Sequence, residues 1–239
     1  MSGHSKWSQI KFKKAITDAK KSKLWSKVAA QIIIAAREKG GDPAINATLK
    51  ALIDKAKAVN MPNDNIERAI KRGTGELVGE KMEEMLYEAY GPGGAAVLIE
   101  AITDNKNRTT AEIKHILGEH GGKLAEAGSV KWMFKKTQKS KIKSQNLSEE
   151  DLELAVIEVG VDDFKKEDGE IFIYNNPENW EIIKNQLKQK GIEIESTELD
   201  YIPQNPFTPS EEDRKKLEAL FEALDEQNEV KEIYSNIGI

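Results

Sequence analysis

Met85–Thr103, MLYEAYGPGGAAVLIEAIT, decides the fold class. Two largely apolar runs, Met85–Tyr90 and Ala95–Thr103, flank Gly91-Pro92-Gly93-Gly94. Short apolar runs bounded by Gly and Pro read as strands joined by a turn. N-terminal to them the apolar period is helical. Trp25, Val28, Ala29, Ile32, Ile33 and Ala36 form one stripe at helix spacing, which Gly40-Gly41 ends. A second helix is predicted over Ile45–Val59, with Leu49, Leu52, Ile53 and Ala56 inward. A third follows Met61-Pro62 and buries Ile66, Ala69 and Ile70, with Gly73 suited to its left-handed C-terminal position. Residues 74–81 have linker composition.

C-terminal to the strand pair, Thr109–His120 reads as a helix, with Thr109 and Glu112 as a capping box. Val130–Lys136 reads as a strand and the polar, lysine-bearing residues 137–146 as a linker. A second α/β unit follows: a helix at Glu149–Val159, a hairpin of Asp162–Phe164 with Glu170–Tyr174, a helix at Pro177–Lys190 and a strand at Ile192–Asp200. The last helix and strand, Glu211–Glu226 and Val230–Ser235, cannot bury their faces alone. They are expected to return and complete the sheet begun at residues 85–136. The predicted class is therefore α+β and multidomain: an N-terminal three-helix domain, then two small α/β sandwich-type domains, the last inserted into the middle one. The expected boundaries are a basic arm at 1–23, a helical bundle at 24–78, a middle domain at 79–139 plus 204–239, and an insertion at 140–203.

Charge is unevenly spread. Residues 1–40 hold ten Lys/Arg against two acids, a net of +8 in a 239-residue chain of net −5, so the remaining 199 carry −13. A field concentrated at one end attracts phosphate there. Without cysteine, disulfides, Cys-ligated zinc and Cys nucleophiles are excluded. The longest apolar run, Ile32–Ala36, is too short for a membrane span, and no signal-peptide core is apparent, so a cytoplasmic location is expected.

The candidate nucleic-acid contacts begin in the N-terminal cluster: His4, Lys6, Trp7, Lys11, Lys13, Lys14, Lys20, Lys21, Lys23 and Lys27. Lysines near phosphates release counterions, and interleaved aromatics such as Trp7 and Phe12 can stack on bases. A solvated helix face is the alternative reading. Arg68, Lys71 and Arg72 on the third helix extend the basic surface, or else complement that helix's dipole. Asn105, Asn107 and Arg108 lie where a strand feeds a helix N-terminus, a junction that can bind anions or partners. An ordinary Asx turn and cap is the favoured alternative there. His115 and His120 are not aligned on one helix face, and no metal site, cofactor or catalytic constellation is evident.

Several segments together resemble the YebC/PmpR family, to which the mitochondrial translational activator of cytochrome c oxidase also belongs. They include Gly3-His4-Ser5-Lys6-Trp7, Gly41-Asp42-Pro43, Asp54-Lys55-Ala56-Lys57 and Asn60-Met61-Pro62-Asn63-Asp64-Asn65-Ile66-Glu67-Arg68-Ala69-Ile70. They continue through Gly73-Thr74-Gly75-Glu76, Tyr87–Gly94, Thr103–Thr109 and His120-Gly121-Gly122. The resemblance implies three domains, the last inserted into the middle one. It also implies a DNA-binding transcriptional regulator, or alternatively a ribosome-associated factor that binds rRNA and relieves stalling. The family often has His-Arg where this chain has Phe12-Lys13, which removes a polar contact at position 12. The expected partner is nucleic acid, DNA or rRNA, with the ribosome as a further candidate. No membrane partner is expected; a monomer is, with a dimer left open. Enzyme activity with an interdomain site is the weakest reading, and none is expected.

Overall fold

The computed structural model describes residues 18–144, 146–167 and 169–237. They form two compact units: one runs through Lys135 and resumes at Ile202, and the other is Lys136–Tyr201.

The first unit opens with α1 (Asp18–Lys39), α2 (Ala47–Ala58) and α3 (Asn63–Thr74). Helix α1 starts at Asp18, so residues 18–23, expected as the end of an arm, belong to it. Residues 1–17 lie outside the described residues. The predicted stripe is inward: Val28, Ile32 and Ile33, joined by Ala35 from outside the stripe, pack with Leu49, Ala56, Met61, Ile66 and Ala69. Asn46 joins the first two helices. Its Oδ1 accepts from Leu49 N at 3.0 Å, capping α2, while its amide donates to the carbonyls of Ala35 (2.9 Å) and Gly40 (2.8 Å). A buried amide with each group paired specifies one crossing of α1 and α2. Gly73 is not the left-handed cap. That position is Gly75, at φ 84°. Gly73 lies inside α3, where a Cβ would stand 2.5 Å from the Ile33 carbonyl oxygen. It permits α3 to approach α1, which periodicity alone does not reveal.

The same unit holds an antiparallel sheet ordered β3-β1-β2-β8: β1 Glu83–Tyr90, β2 Ala96–Thr103, β3 Lys123–Leu124, β8 Val230–Ser235. Helices α4 (Lys106–Glu119) and α7 (Glu211–Glu226) cover one face. Ile113, Leu117, Leu217, Leu220, Phe221 and Leu224 meet Ala89, Val97, Ile99, Ala101 and Ile233 there. Alternate β2 residues face the other side, so Leu98 and Ile102 are buried as well. The C-terminal helix and strand do return to this sheet.

The second unit's sheet is ordered β5-β6-β4-β7: β4 Phe134–Lys143, β5 Asp163–Glu167, β6 Glu170–Asn175, β7 Glu193–Pro203. Helices α5 (Glu149–Val159) and α6 (Trp180–Gln189) pack on it through Leu152, Val156, Ile183 and Leu187. Two expectations fail here. The strand predicted at Val130–Lys136 begins only at Phe134, after a 3-10 turn at Lys131–Met133, and it belongs to the second sheet. Much of the expected linker, 137–146, is that strand, lying between β6 and β7. Its polar side chains are accommodated individually. Lys139 Nζ lies 4.2 Å from the Phe172 ring centroid, Gln138 donates to the Glu198 carbonyl at 3.0 Å, and the Ser140 and Thr197 hydroxyls are 2.9 Å apart. Long lysine stems and cross-strand pairs allow a polar sequence to fill a central strand.

Candidate nucleic-acid interface

The stripe that packs α1 on α3 leaves a groove where the two helices diverge, with a cavity of about 230 Å³. Ser22, Trp25 and Ser26 of α1 face Asn65, Arg68 and Arg72 of α3 across it. The i, i+4 spacing of Arg68 and Arg72 puts both guanidinium groups on one wall. Trp25 is fixed there because its Nε1 donates to the Val59 carbonyl at 3.0 Å. Arg72 packs closely over Gly79, where a Cβ would come within 2.6 Å of its Nε. Arg68 is exposed, and neither arginine forms an ion pair with a described carboxylate. Lys71 is exposed outside the groove lining. A backbone-linked pair of guanidinium groups beside serine hydroxyls can bind phosphate oxygens bidentately.

Helices α2 and α3 are joined by four residues, with Asn60 at φ 56°. That is a helix-turn-helix connection length, missed in the sequence because Asn rather than Gly occupies the left-handed position. Asp64 lies in the first turn of α3 and Glu67 follows it, so the end that reads bases in such motifs is acidic here. The basic residues cluster at the opposite end, which suits phosphate contact.

The other sequence-predicted residues divide. Lys21 and Lys23 are half-buried on α1. His4, Lys6, Trp7, Lys11, Lys13, Lys14 and the Lys20 side chain lie outside the described residues. Lys27 does not face outward as predicted. Its Nζ donates to the Asp225 carbonyl at 2.5 Å and lies 3.4 Å from the Asp225 carboxylate, with the lysine side chain only 10% exposed. It fastens α1 to the C-terminal end of α7, where a cation complements the helix dipole. Its partner is 198 residues away, so no local pattern marks the pairing.

The loop before α4 is likewise corrected. Asn105, not Thr109, caps the helix, accepting from Arg108 N at 3.1 Å. Thr109 is buried and donates to Thr103 Oγ1 at 2.8 Å. Arg108 bonds Glu229 at 2.9 Å and Asp104 at 2.8 Å, and these two contacts raise its pKa. Lys106 pairs with Glu83 at 2.7 Å. Asn107 is exposed. With its cap filled and its cations matched by acids, this junction is a helix start rather than an anion site. His120 Nδ1 lies 2.9 Å from the Ile116 carbonyl oxygen and His115 pairs with Glu119. Among the described residues no group of three or more His, Asp or Glu could hold a metal.

Residues 5–76 match the family model described as the TACO1/YebC protein N-terminal domain, and residues 82–237 match the TACO1/YebC second and third domain. The chain belongs to the TACO1/YebC family. It is 46% identical to a "Probable transcriptional regulatory protein" of Caldanaerobacter subterraneus, over all of this chain and 99% of that one. A relative of the same name in Thermoanaerobacter pseudethanolicus is 47% identical, over 100% and 98%. The crystal structure of a conserved hypothetical protein from Aquifex aeolicus superposes with a TM-score of 0.78 at 41% identity, covering 98% of this chain and 96% of that one. The helical segment bearing the groove thus falls within the family's N-terminal domain, and the two sheets within its second and third. No helix among the described residues is long and apolar enough to cross a membrane.

Proposed function

We propose that this protein is a nucleic-acid-binding regulator of gene expression, acting on DNA as a transcriptional regulator without a catalytic step. The observation that carries this is the α1–α3 groove, where Arg68 and Arg72 stand beside Ser22 and Ser26 and have no carboxylate partner among the described residues. The segment before α1 in the sequence is rich in lysine, and those charges add to the attraction for phosphate. The names of the full-length relatives support the regulatory reading. A second reading, rRNA contact on the ribosome, is favoured by the acidic start of α3: a surface that meets phosphate but lacks a base-reading helix end serves either polymer.

Crosslinking in cells, followed by sequencing of both bound DNA and bound RNA, separates the two. Enrichment at defined promoters is expected. Recovery of rRNA alone would end the transcription reading and leave the second.

A further inference from the structure

A second basic and aromatic surface lies on the first sheet, away from the helical groove. Glu88 of β1 is 7% exposed and accepts backbone N–H groups from Gly128 (2.6 Å), Val130 (2.7 Å) and Lys131 (2.7 Å). Burial pushes its carboxyl pKa up, but the three N–H groups outweigh that and hold it below the usual range. This carboxylate fixes the turn that precedes Trp132. Trp132 is 61% exposed, unusual for so large an apolar side chain. Its ring is nonetheless held, because Nε1 donates to the Ser129 carbonyl at 2.9 Å. The Tyr90 hydroxyl donates to the same carbonyl at 3.1 Å, and Lys123 Nζ lies 5.7 Å from the Tyr90 ring centroid. Tyr90 and Lys123 also wall a cleft of about 470 Å³ whose remaining lining is glycine from the turns at 91–94 and 121–122. A Cβ at Gly122 would stand 2.9 Å from the Tyr90 carbonyl oxygen, so the cleft floor there is bare backbone.

We propose that this surface binds unpaired nucleic-acid bases of the kind RNA loops present. Trp132 stacks one base, the glycine-floored cleft beside Tyr90 takes a neighbouring one, and Lys123 and Lys131 meet the flanking phosphates. An exposed, pre-oriented indole suits the face of any base, and stacking on it needs a base out of its helix. Duplex DNA keeps its bases stacked and offers this surface only phosphate. Lys123 and Lys131 are both exposed, and the carboxylate that lies against Gly93 of the cleft, Asp213, accepts from the Ser210 hydroxyl at 2.7 Å. A flat ligand can lie on glycine backbone where a side chain would hold it off. The inference rests on the reading that the chain binds nucleic acid, but not on the helical groove.

The test uses the full chain, a fluorescein-labelled oligouridylate of about 12 nucleotides, and a DNA duplex of similar length, with anisotropy measured across a salt series. Trp132→Ala should weaken oligouridylate binding about tenfold without changing the salt slope, because stacking releases no counterions. Trp132→Phe should stay within about threefold of the native chain. Lys123→Gln with Lys131→Gln should instead lower the slope by about 1.4 units, the value for two contacts to a single strand. Duplex binding should be unaffected by Trp132→Ala. Native affinity in Trp132→Ala, or an equal loss in Trp132→Phe, overturns the proposal, and so does a tenfold loss on the duplex. If the groove reading fails, Arg68→Gln/Arg72→Gln binds normally while the Trp132→Ala defect persists, so the two failures are distinguishable.

Discussion

Arg68 and Arg72 on α3 and Arg108 on α4 look alike in the sequence: arginines on helices, each near an anion-friendly feature. Their surroundings separate them. The α3 pair opens into a groove whose polar lining is Ser22, Ser26 and Asn65. Arg108 is held between Asp104, four residues before it, and Glu229, 121 residues after it. A cation already matched by two carboxylates has little left to offer a phosphate, and the same acids repel one. Whether an arginine serves structure or binding is therefore decided by which acids the fold brings to it.

The largest effect that would break this contrast is loss of the groove. Arg68→Gln with Arg72→Gln should weaken binding to duplex DNA by roughly one to two orders of magnitude and lower the salt slope by about two units, whereas Arg108→Gln should change neither. Equal losses in the two variants would erase the distinction. Freeing Arg108 should sharpen it: Asp104→Asn with Glu229→Gln is expected to raise the salt slope by about one unit, read in the same titration. Lys27→Gln should cost about 1 kcal/mol in urea unfolding, through its lost contact with α7, while leaving the salt slope unaltered. The smallest effect is on pH dependence. Burial raises the Asp104 pKa, but its bond to Arg108 and further contacts leave it depressed. Its contribution to stability is thus present above its unfolded-state pKa and fades as pH falls through the depressed folded value. Arg108→Gln should shrink that acid-side loss, which thermal unfolding across pH 2–5 measures.

Much of the fold was legible. The stripe from Trp25 to Ala36 and the change of period at residue 85 place the helices and the first strand pair, because burial on one face leaves its spacing in the chain. Strand β4 was illegible for the converse reason. Its neighbours satisfy Thr137, Gln138, Lys139 and Ser140 one by one, so no alternation records its central position. The helix cap was misplaced by four residues because Asn105 and Thr109 both have capping chemistry, and only the Asn105 contact to Arg108 N decides between them. The groove was half legible: Arg68 and Arg72 stood out by charge. Ser22 and Ser26, at i, i+4 on α1, carried a spacing signal but no charge to draw notice. Trp132 gave no signal at all, since exposure is not encoded in a residue's identity.

By itself, the sequence determined the basic head and acidic remainder, the helical and strand periods, and the family membership that its ordered segments spell out. These depend on residue identity and near-neighbour spacing. Only the tertiary structure decided that Lys27 is spent on Asp225, that Arg108 is neutralised by Glu229, that Gly73 lets α3 meet α1, and that Glu88 holds the turn behind Trp132. Each joins residues 40 or more positions apart. Charge and hydrogen-bond availability are properties of pairs in space, and the chain order does not list the pairs.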